Sequence, residues 1–370
     1  MPTSRTIAFG PLAALLAAAS LSGCGGSTDA TAQKVDVKLT ARGCDPANYE
    51  LKSGPTTFIV TNIDSAKGTE FEILSGSKVQ GEVENVTPGL KRSFSLNLKP
   101  GTYELACGSL DGPKGKLIVN GDAAAVSGAA AAAVSRYRAY VEQQTAQLVA
   151  ATTQFTDAVV AGDATKAKRL YPVARAPYER IEPVAESFGD LDPAIDGRAD
   201  GTPVADITGF HRIEDALWGT GSFADMVPVA RKLLDDVKVL DSKVKTVDLQ
   251  AAQIANGATE LLGEVSKSKI TGEEERYSHT DLWDVAANVD GSKAAISAVR
   301  PMIEQTNAEL LSTIDARFAA LEEGLAPYKQ GDGWTTYTAL SSAQTRTLSQ
   351  LVDAVAEPVS QVATKVVSAS

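Results

Sequence analysis

Between Gly121 and Ala133 the chain reads GDAAAVSGAAAAA, and the sequence changes character across that stretch. Asp122 is its one charge, and its alanines make it either a linker or the start of a helix, alanine being the strongest helix former. On its N-terminal side apolar residues recur with a period of two, the spacing of a strand with one buried face. VDVKLTA carries Val35, Val37 and Leu39; TTFIVTNI (56–63) is β-branched and aromatic; RSFSLNL alternates Phe94, Leu96 and Leu98; GKLIV (115–119) closes the block. Turn signals separate them at Ser53-Gly54-Pro55, Pro88-Gly89, Lys99-Pro100-Gly101 and Asp111-Gly112-Pro113. Short strands at this spacing predict an all-β sandwich over residues 35–120. On the C-terminal side strand signals disappear, and periodic segments run over 134–161, 163–188, 208–218, 223–241, 246–268, 273–289, 292–324 and 335–368. They predict an all-α helical bundle over 134–370, with 121–133 as the linker between two domains.

The first 23 residues have the form of an export signal: Arg5 supplies the positive end, and Ile7 to Leu21 is apolar or small. That run is too short to span a bilayer, which takes about 20 apolar residues. It ends at Leu21-Ser22-Gly23-Cys24, which resembles a bacterial lipobox. The resemblance implies that Cys24 is lipidated and that 24–34 is a tether, so the expected location is extracytoplasmic, anchored to the cell membrane. At 370 residues the chain is long enough for two cores, and its net charge of −11 argues against nucleic-acid partners.

Two cysteines lie in the β region, Cys44 and Cys107. In an exported chain such a pair forms a disulfide or supplies two metal ligands, and both readings stand at this point. TNIDSAKGTEFEI (61–73) and YELACGSLDGPKGKLIV (103–119) resemble the ligand-bearing segments of the cupredoxin family. Glu70 stands near the family's first histidine, Cys107 is kept, and Pro113 lies near the expected methionine. Both histidines of the chain fall outside this region, so a blue copper centre, which needs two imidazoles and a thiolate, is excluded. The ligand alternative is a mixed site for copper or iron using Cys44, Cys107, Glu70 and Glu104. In a regular strand Glu104 faces away from Cys107, which weakens its membership.

The helical region holds four polar runs where a bundle core should be apolar. PYERIEP places Glu179 and Glu182 three apart between Pro177 and Pro183, which predicts a kinked or broken helix. DLDPAIDGRADG is a loop carrying Asp190, Asp192, Asp196 and Asp200; GFHRIE gives His211 and Glu214; YSHTD gives His279. On a helix His211 and Glu214 are neighbours on one face, able to share an ion or a proton. Singly, each run also reads as an ordinary solvated face.

Together the runs resemble the imelysin-like family, all-helical proteins with an H-x-x-E motif. With the cupredoxin-like region in front, nearly the whole chain resembles the EfeO-type family of iron-uptake lipoproteins. The resemblance implies a metal site at Glu179, Glu182, Asp196, His211, Glu214 and His279. It also implies iron (Fe2+ or Fe3+) as cargo, and an EfeU-type permease and an EfeB-type haem peroxidase as partners. Carboxylates with imidazoles suit iron, manganese or zinc. Two enzyme readings compete. H-x-x-E with a distant histidine is also a zinc-peptidase ligand pattern, although H-E-x-x-H and H-x-x-E-H are both absent. The N-terminal domain is alternatively a ferroxidase. The expectation is a binding protein that hands iron to a membrane permease.

Overall fold

The computed structural model describes Met1 and residues 32–66, 69–108, 114–199, 202–267 and 269–370. The apolar leader, Cys24 and most of the tether lie outside the described residues, as do Pro113 and Asp200.

The alternating segments form two facing sheets. Strands β1 (Gln33–Thr40), β2 (Gly43–Asp45), β3 (Asn48–Lys52), β4 (Gly54–Asn62), β5 (Phe71–Ser75), β6 (Lys78–Val83), β7 (Lys91–Leu98), β8 (Gly101–Cys107) and β9 (Lys114–Asn120) follow in order. One sheet runs β2-β1-β4-β7 and the other β3-β9-β8-β5-β6. β1 lies parallel to β4, and β3 parallel to β9, within an otherwise antiparallel sandwich. The inward residues meet between the sheets, where Phe58 and Phe94 stack with ring centroids 5.2 Å apart and Phe71 lies 6.1 Å from each. Cys44 and Cys107 are joined in a disulfide, which takes both thiolates out of the mixed ligand set. β8 pairs regularly with β9, so no bulge turns Glu104 inward; it is exposed and faces Lys114 at 3.3 Å. Glu70 is half-buried, and burial raises its carboxyl.

Beyond β9 the alanine run is helix rather than linker for half its length. α1 (Gly128–Val160) starts at Gly128, with the Ser127 side chain accepting from the Ala130 amide at 3.1 Å. There follow α2 (Ala164–Glu179), α3 (Glu182–Glu186), α4 (Asp192–Asp196), α5 (Gly209–Trp218), α6 (Val227–Val244), α7 (Ala251–Lys267), α8 (Asp281–Ile303), α9 (Ala308–Leu325), α10 (Ser342–Val359) and α11 (Val362–Ser368). A short ribbon, β10 (Lys329–Gln330) with β11 (Gly333–Trp334), joins α9 to α10. α1 packs on α2, α6 and α8 around one apolar core. The break expected at Pro177–Pro183 falls between α2 and α3.

Several periodic readings differ from the structure: the 292–324 and 335–368 segments are each broken, at 304–307 and at 360–361. Residues 273–280 form turns rather than the first part of a helix, and α8 continues through Gly291 instead of stopping there. Gly291 serves close approach: a Cβ on it would lie 2.3 Å from the Arg180 carbonyl oxygen. No described helix is long and apolar enough to cross a membrane.

The two domains touch along β7. The Asn256 side chain of α7 donates to the Ser95 carbonyl at 2.9 Å and accepts from its N–H at 3.4 Å, completing the edge of the sheet. Gln253 donates to the Gln80 carbonyl at 2.7 Å, and the Ser95 hydroxyl meets the Thr364 hydroxyl at 3.1 Å.

The disulfide closes a long loop across the sandwich, linking β2 to the end of β8. Replacing both cysteines by serine is expected to cost about 2–5 kcal/mol in a chemical denaturation experiment. Titration of the unfolded, unreduced chain should find no thiol at Cys44 or Cys107.

Candidate metal centre

The middle of the helical domain is polar. Arg175, on α2, is completely buried, and four segments of the chain turn five carboxylates toward it. Its guanidinium contacts Glu179 one turn on and Asp196 at the end of α4. Its Nε lies 2.6 Å from Glu275 Oε1 and 3.6 Å from Asp284 Oδ1, and its Nη2 is 3.9 Å from Glu274 Oε1. Phe210 supplies an aromatic face 5.6 Å from the guanidinium carbon. A second buried cation, Lys269, sits beside it. Its ammonium donates to Glu179 Oε2 at 2.8 Å and to Glu182 Oε2 at 2.6 Å. The Asn288 amide adds a bond to the Glu179 carbonyl at 2.7 Å.

These partners explain why so many buried acids are tolerated: a buried carboxylate is costly unless a charge or hydrogen bond offsets the desolvation. The balance is uneven, and the acids respond to it. Burial pushes Glu182 and Asp284 well above the usual carboxylate range, Glu275 to about 8 and Asp281 to about 6. Burial opposes the charged form of Glu274 as well, but Lys269, His211 and Arg198 together hold its carboxyl well below that range.

His211 occupies the other side of this cluster. Gly209 makes its position possible. Gly209 has φ +77°, and a Cβ there would lie 2.1 Å from the Ile195 carbonyl oxygen. The close approach sets the start of α5 against the end of α4, and so His211 beside Asp196. Thr208 reinforces the junction by donating to the Ala194 carbonyl at 2.9 Å. The His211 Nδ1 lies 3.2 Å from Glu214 Oε2. Glu214 is itself fixed, its Oε1 accepting from the N–H groups of Tyr277 at 2.9 Å and Ser278 at 2.7 Å.

The other ring nitrogen faces two carboxylates. His211 Nε2 is 3.6 Å from Asp196 Oδ1 and 3.7 Å from Glu274 Oε1, too far for hydrogen bonds, and has no hydrogen-bond partner though buried. Donors held about 2.1 Å from one ion stand roughly 3.0–3.5 Å apart, so this spacing is close to that of a ligand set. Asp196, His211 and Glu274 form one group whose ligand atoms lie within 4.8 Å of each other, and His211, Glu214 and Glu275 form another. The cavity beside His211 and Glu274 is small, about 10 Å³, room for one ion. Burial and the Arg175 charge disfavour the His211 imidazolium, yet Asp196, Glu214 and Glu274 outweigh them and hold its pKa at about 10.

The six residues expected from the sequence are therefore divided. Asp196, His211 and Glu214 lie together; Glu179 and Glu182 are engaged by Lys269 and Arg175. His279 belongs to neither ligand group found among the described residues. Its backbone turns at φ +58° before α8, donating from N–H to the Glu275 carbonyl and accepting from the Tyr337 N–H, each at 2.8 Å. The zinc-peptidase set of His211, Glu214 and His279 is thus not assembled. Glu274 and Glu275 were not legible as site residues, because GEEER reads as a solvated charge run. Arg175 and Lys269 were equally hidden. The one available signal was the position of GEEER directly before YSHTD.

Substituting Arg175 by methionine keeps the volume and removes the charge. The expected cost is about 3–5 kcal/mol at neutral pH, read by urea denaturation, because Glu179, Asp196 and Glu275 lose their common partner.

Comparison with known proteins agrees with both halves of this fold. Residues 133–362 match the imelysin family, and residues 10–119 match the cupredoxin-like domain. The chain is 43% identical over 338 residues to proteins named iron uptake system component EfeO from Escherichia coli (strain K12), Shigella flexneri and Shigella sonnei. The match covers 89% of this chain and 90% of each relative. A cupredoxin-like sandwich in front of an imelysin bundle, at that identity over nearly the whole length, places the chain in the EfeO family.

Proposed function

We propose that the protein is an extracytoplasmic iron-binding component of an uptake system, capturing iron at Asp196, His211 and Glu274 and delivering it to a membrane permease. The observation that carries this reading is the buried His211 Nε2, without a hydrogen-bond partner, facing two carboxylate oxygens at 3.6 and 3.7 Å. The relatives' name, iron uptake system component, supports iron as the cargo. The mixture of imidazole and carboxylate suits it chemically.

The residues then have distinct roles. Asp196, His211 Nε2 and Glu274 bind the ion. Glu214 holds the His211 ring through Nδ1 and is locked by two backbone N–H groups, the arrangement that fixes tautomer and orientation in histidine metal sites. Arg175 and Arg198 hold Asp196 and Glu274 in place. The resemblance to the family supports partners of the EfeU permease and EfeB peroxidase types, and the lipobox-like Leu21-Ser22-Gly23-Cys24 supports anchoring through Cys24. Nothing in the centre favours peptidase chemistry, since His279 is outside it.

The pH dependence follows from His211. Its folded pKa is raised to about 10, so the ring is protonated at neutral pH and must lose that proton to bind an ion through Nε2. Lower pH therefore favours the proton over the metal. Anaerobic Fe2+ titration should show affinity rising about tenfold per unit between pH 5.5 and 7.5, the slope of one displaced proton. His211→Ala and Glu274→Gln should each lose at least tenfold at pH 7.5 while helical content is kept. Unchanged affinity in both variants would sink the proposed site.

A further inference from the structure

Part of the candidate centre stands on backbone that belongs to neither helix nor strand. Glu274, Glu275 and the Tyr277 and Ser278 N–H groups that hold Glu214 all lie in 272–280, between the short turn of helix at Lys269–Thr271 and α8. A helix fixes each residue by its repeating hydrogen bonds, whereas a turn segment is placed only as well as the groups that meet its N–H and C=O. Within this segment the Glu275 N–H donates to Asp281 at 3.1 Å and the His279 N–H to the Glu275 carbonyl at 2.8 Å. Ile270 at one end directly follows Lys269, whose ammonium holds Glu179 and Glu182. His279 at the other end directly follows Ser278.

Both ends are tied by one residue of the α9–α10 connection. Tyr337 donates from its backbone N–H to the His279 carbonyl at 2.8 Å and from its hydroxyl to the Ile270 carbonyl at 2.7 Å. Its ring lies against the backbone between them: a Cβ on Gly272 would be 2.4 Å from Tyr337 Cε1. The connection is itself seated. A Cβ on Gly333 would lie 2.3 Å from Trp283 Cζ2, so β11 rests directly on the first turn of α8. Trp334 and Leu340 pack against the helical core on either side of Tyr337. The Tyr337 hydroxyl also stands 3.4 Å from the Thr345 hydroxyl in α10. The tie therefore runs from a packed base to the two ends of the segment.

We propose that Tyr337 is a positioning residue of the centre: by holding the Ile270 and His279 carbonyls it sets where Glu274 faces His211 Nε2 and where the Tyr277 and Ser278 N–H groups meet Glu214. Its bearing on iron rests on the proposed role of His211; its hold on the segment does not. Asp196 and His211 come from α4 and α5, which Tyr337 does not touch through these bonds, whereas Glu274 comes from the tied segment. Loosening the tie therefore displaces one carboxylate relative to the other two groups. A site needs its groups held to about 0.5 Å, so a modest displacement is enough to weaken it. The orientation of the His211 ring suffers as well, because Glu214 is locked by N–H groups of the same segment. His279 contributes here through its backbone, which turns at φ +58° and offers the carbonyl that Tyr337 holds.

The test compares Tyr337→Ala and Tyr337→Phe with the wild type, all as full-length protein. Without metal, amide hydrogen exchange is followed by mass spectrometry over 273–280, with α6 as the control for folding. Tyr337→Ala should exchange 273–280 about tenfold faster while α6 is unchanged. It should also bind Fe2+ about tenfold more weakly at pH 7.5, the scale of loss when a group supporting a metal ligand is removed. Tyr337→Phe keeps the backbone tie and the ring on Gly272 and loses only the bond to Ile270, so it should fall between alanine and wild type in both readings. Unchanged exchange over 273–280, or equal acceleration in α6, overturns the proposal. His211→Ala, measured alongside, separates it from the reading of the ion site. Where His211→Ala loses iron, wild-type affinity in Tyr337→Ala overturns the positioning role. Where His211→Ala binds as tightly as wild type, the ion site itself fails, while local acceleration of exchange still upholds the hold of Tyr337 on the segment.

Discussion

The buried guanidinium of Arg175 is the constraint on which the helical domain depends. A fully buried charge persists in a protein interior when the surroundings match it, and here the matching groups come from α2, α4, the 274–275 turn and α8. These segments are far apart in the chain, so the ion pairs tie the bundle together from inside. The arrangement contributes less to net stability than an apolar core of the same volume would. What it supplies is position: each carboxylate has one place in which its charge is met. A functional site built on α4 and a turn, neither of which is long enough to be rigid alone, needs that kind of anchoring.

Arg175 and Lys269 also decide which acids are left for a metal. Glu179 and Glu182 form the most conspicuous pair in the sequence, yet Lys269 bridges them at 2.8 and 2.6 Å. Asp196 and Glu274 are each held by an arginine on one side while facing His211 Nε2 on the other. In the proposed site the H-x-x-E motif is an oriented histidine: its Nε2 faces Asp196 and Glu274, and Glu214 holds its Nδ1. This division also links cargo to protons, since the same carboxylates that would share the ion stabilise the imidazolium without it.

The sandwich lacks the ligand set of the copper proteins it resembles in fold. Its disulfide closes the sulfur ligands, and its lack of histidine leaves no imidazole for a blue centre. Its contribution is a surface. The edge strand β7 is completed by Asn256, and the outer face of β5 and β6 brings carboxylates against α7.

The sequence by itself determined the fold class and its order along the chain. Period-two alternation in VDVKLTA and RSFSLNL and helical periodicity after Ala133 are local patterns, set by which face of each element meets a core. It also determined the H-x-x-E pair, because three residues on a helix are neighbours whatever surrounds them. Membership beyond that spacing was decided by tertiary structure. Glu274 and Glu275 belong to the centre because 273–280 is turn rather than helix, and Asp196 belongs because Gly209 lets α4 and α5 approach closely. His279 stands apart because its backbone turns left-handed before α8. The reason is physical: a carboxylate has the same letter whether it faces water, a buried lysine or a metal. Only the packing of distant segments decides which charge it meets.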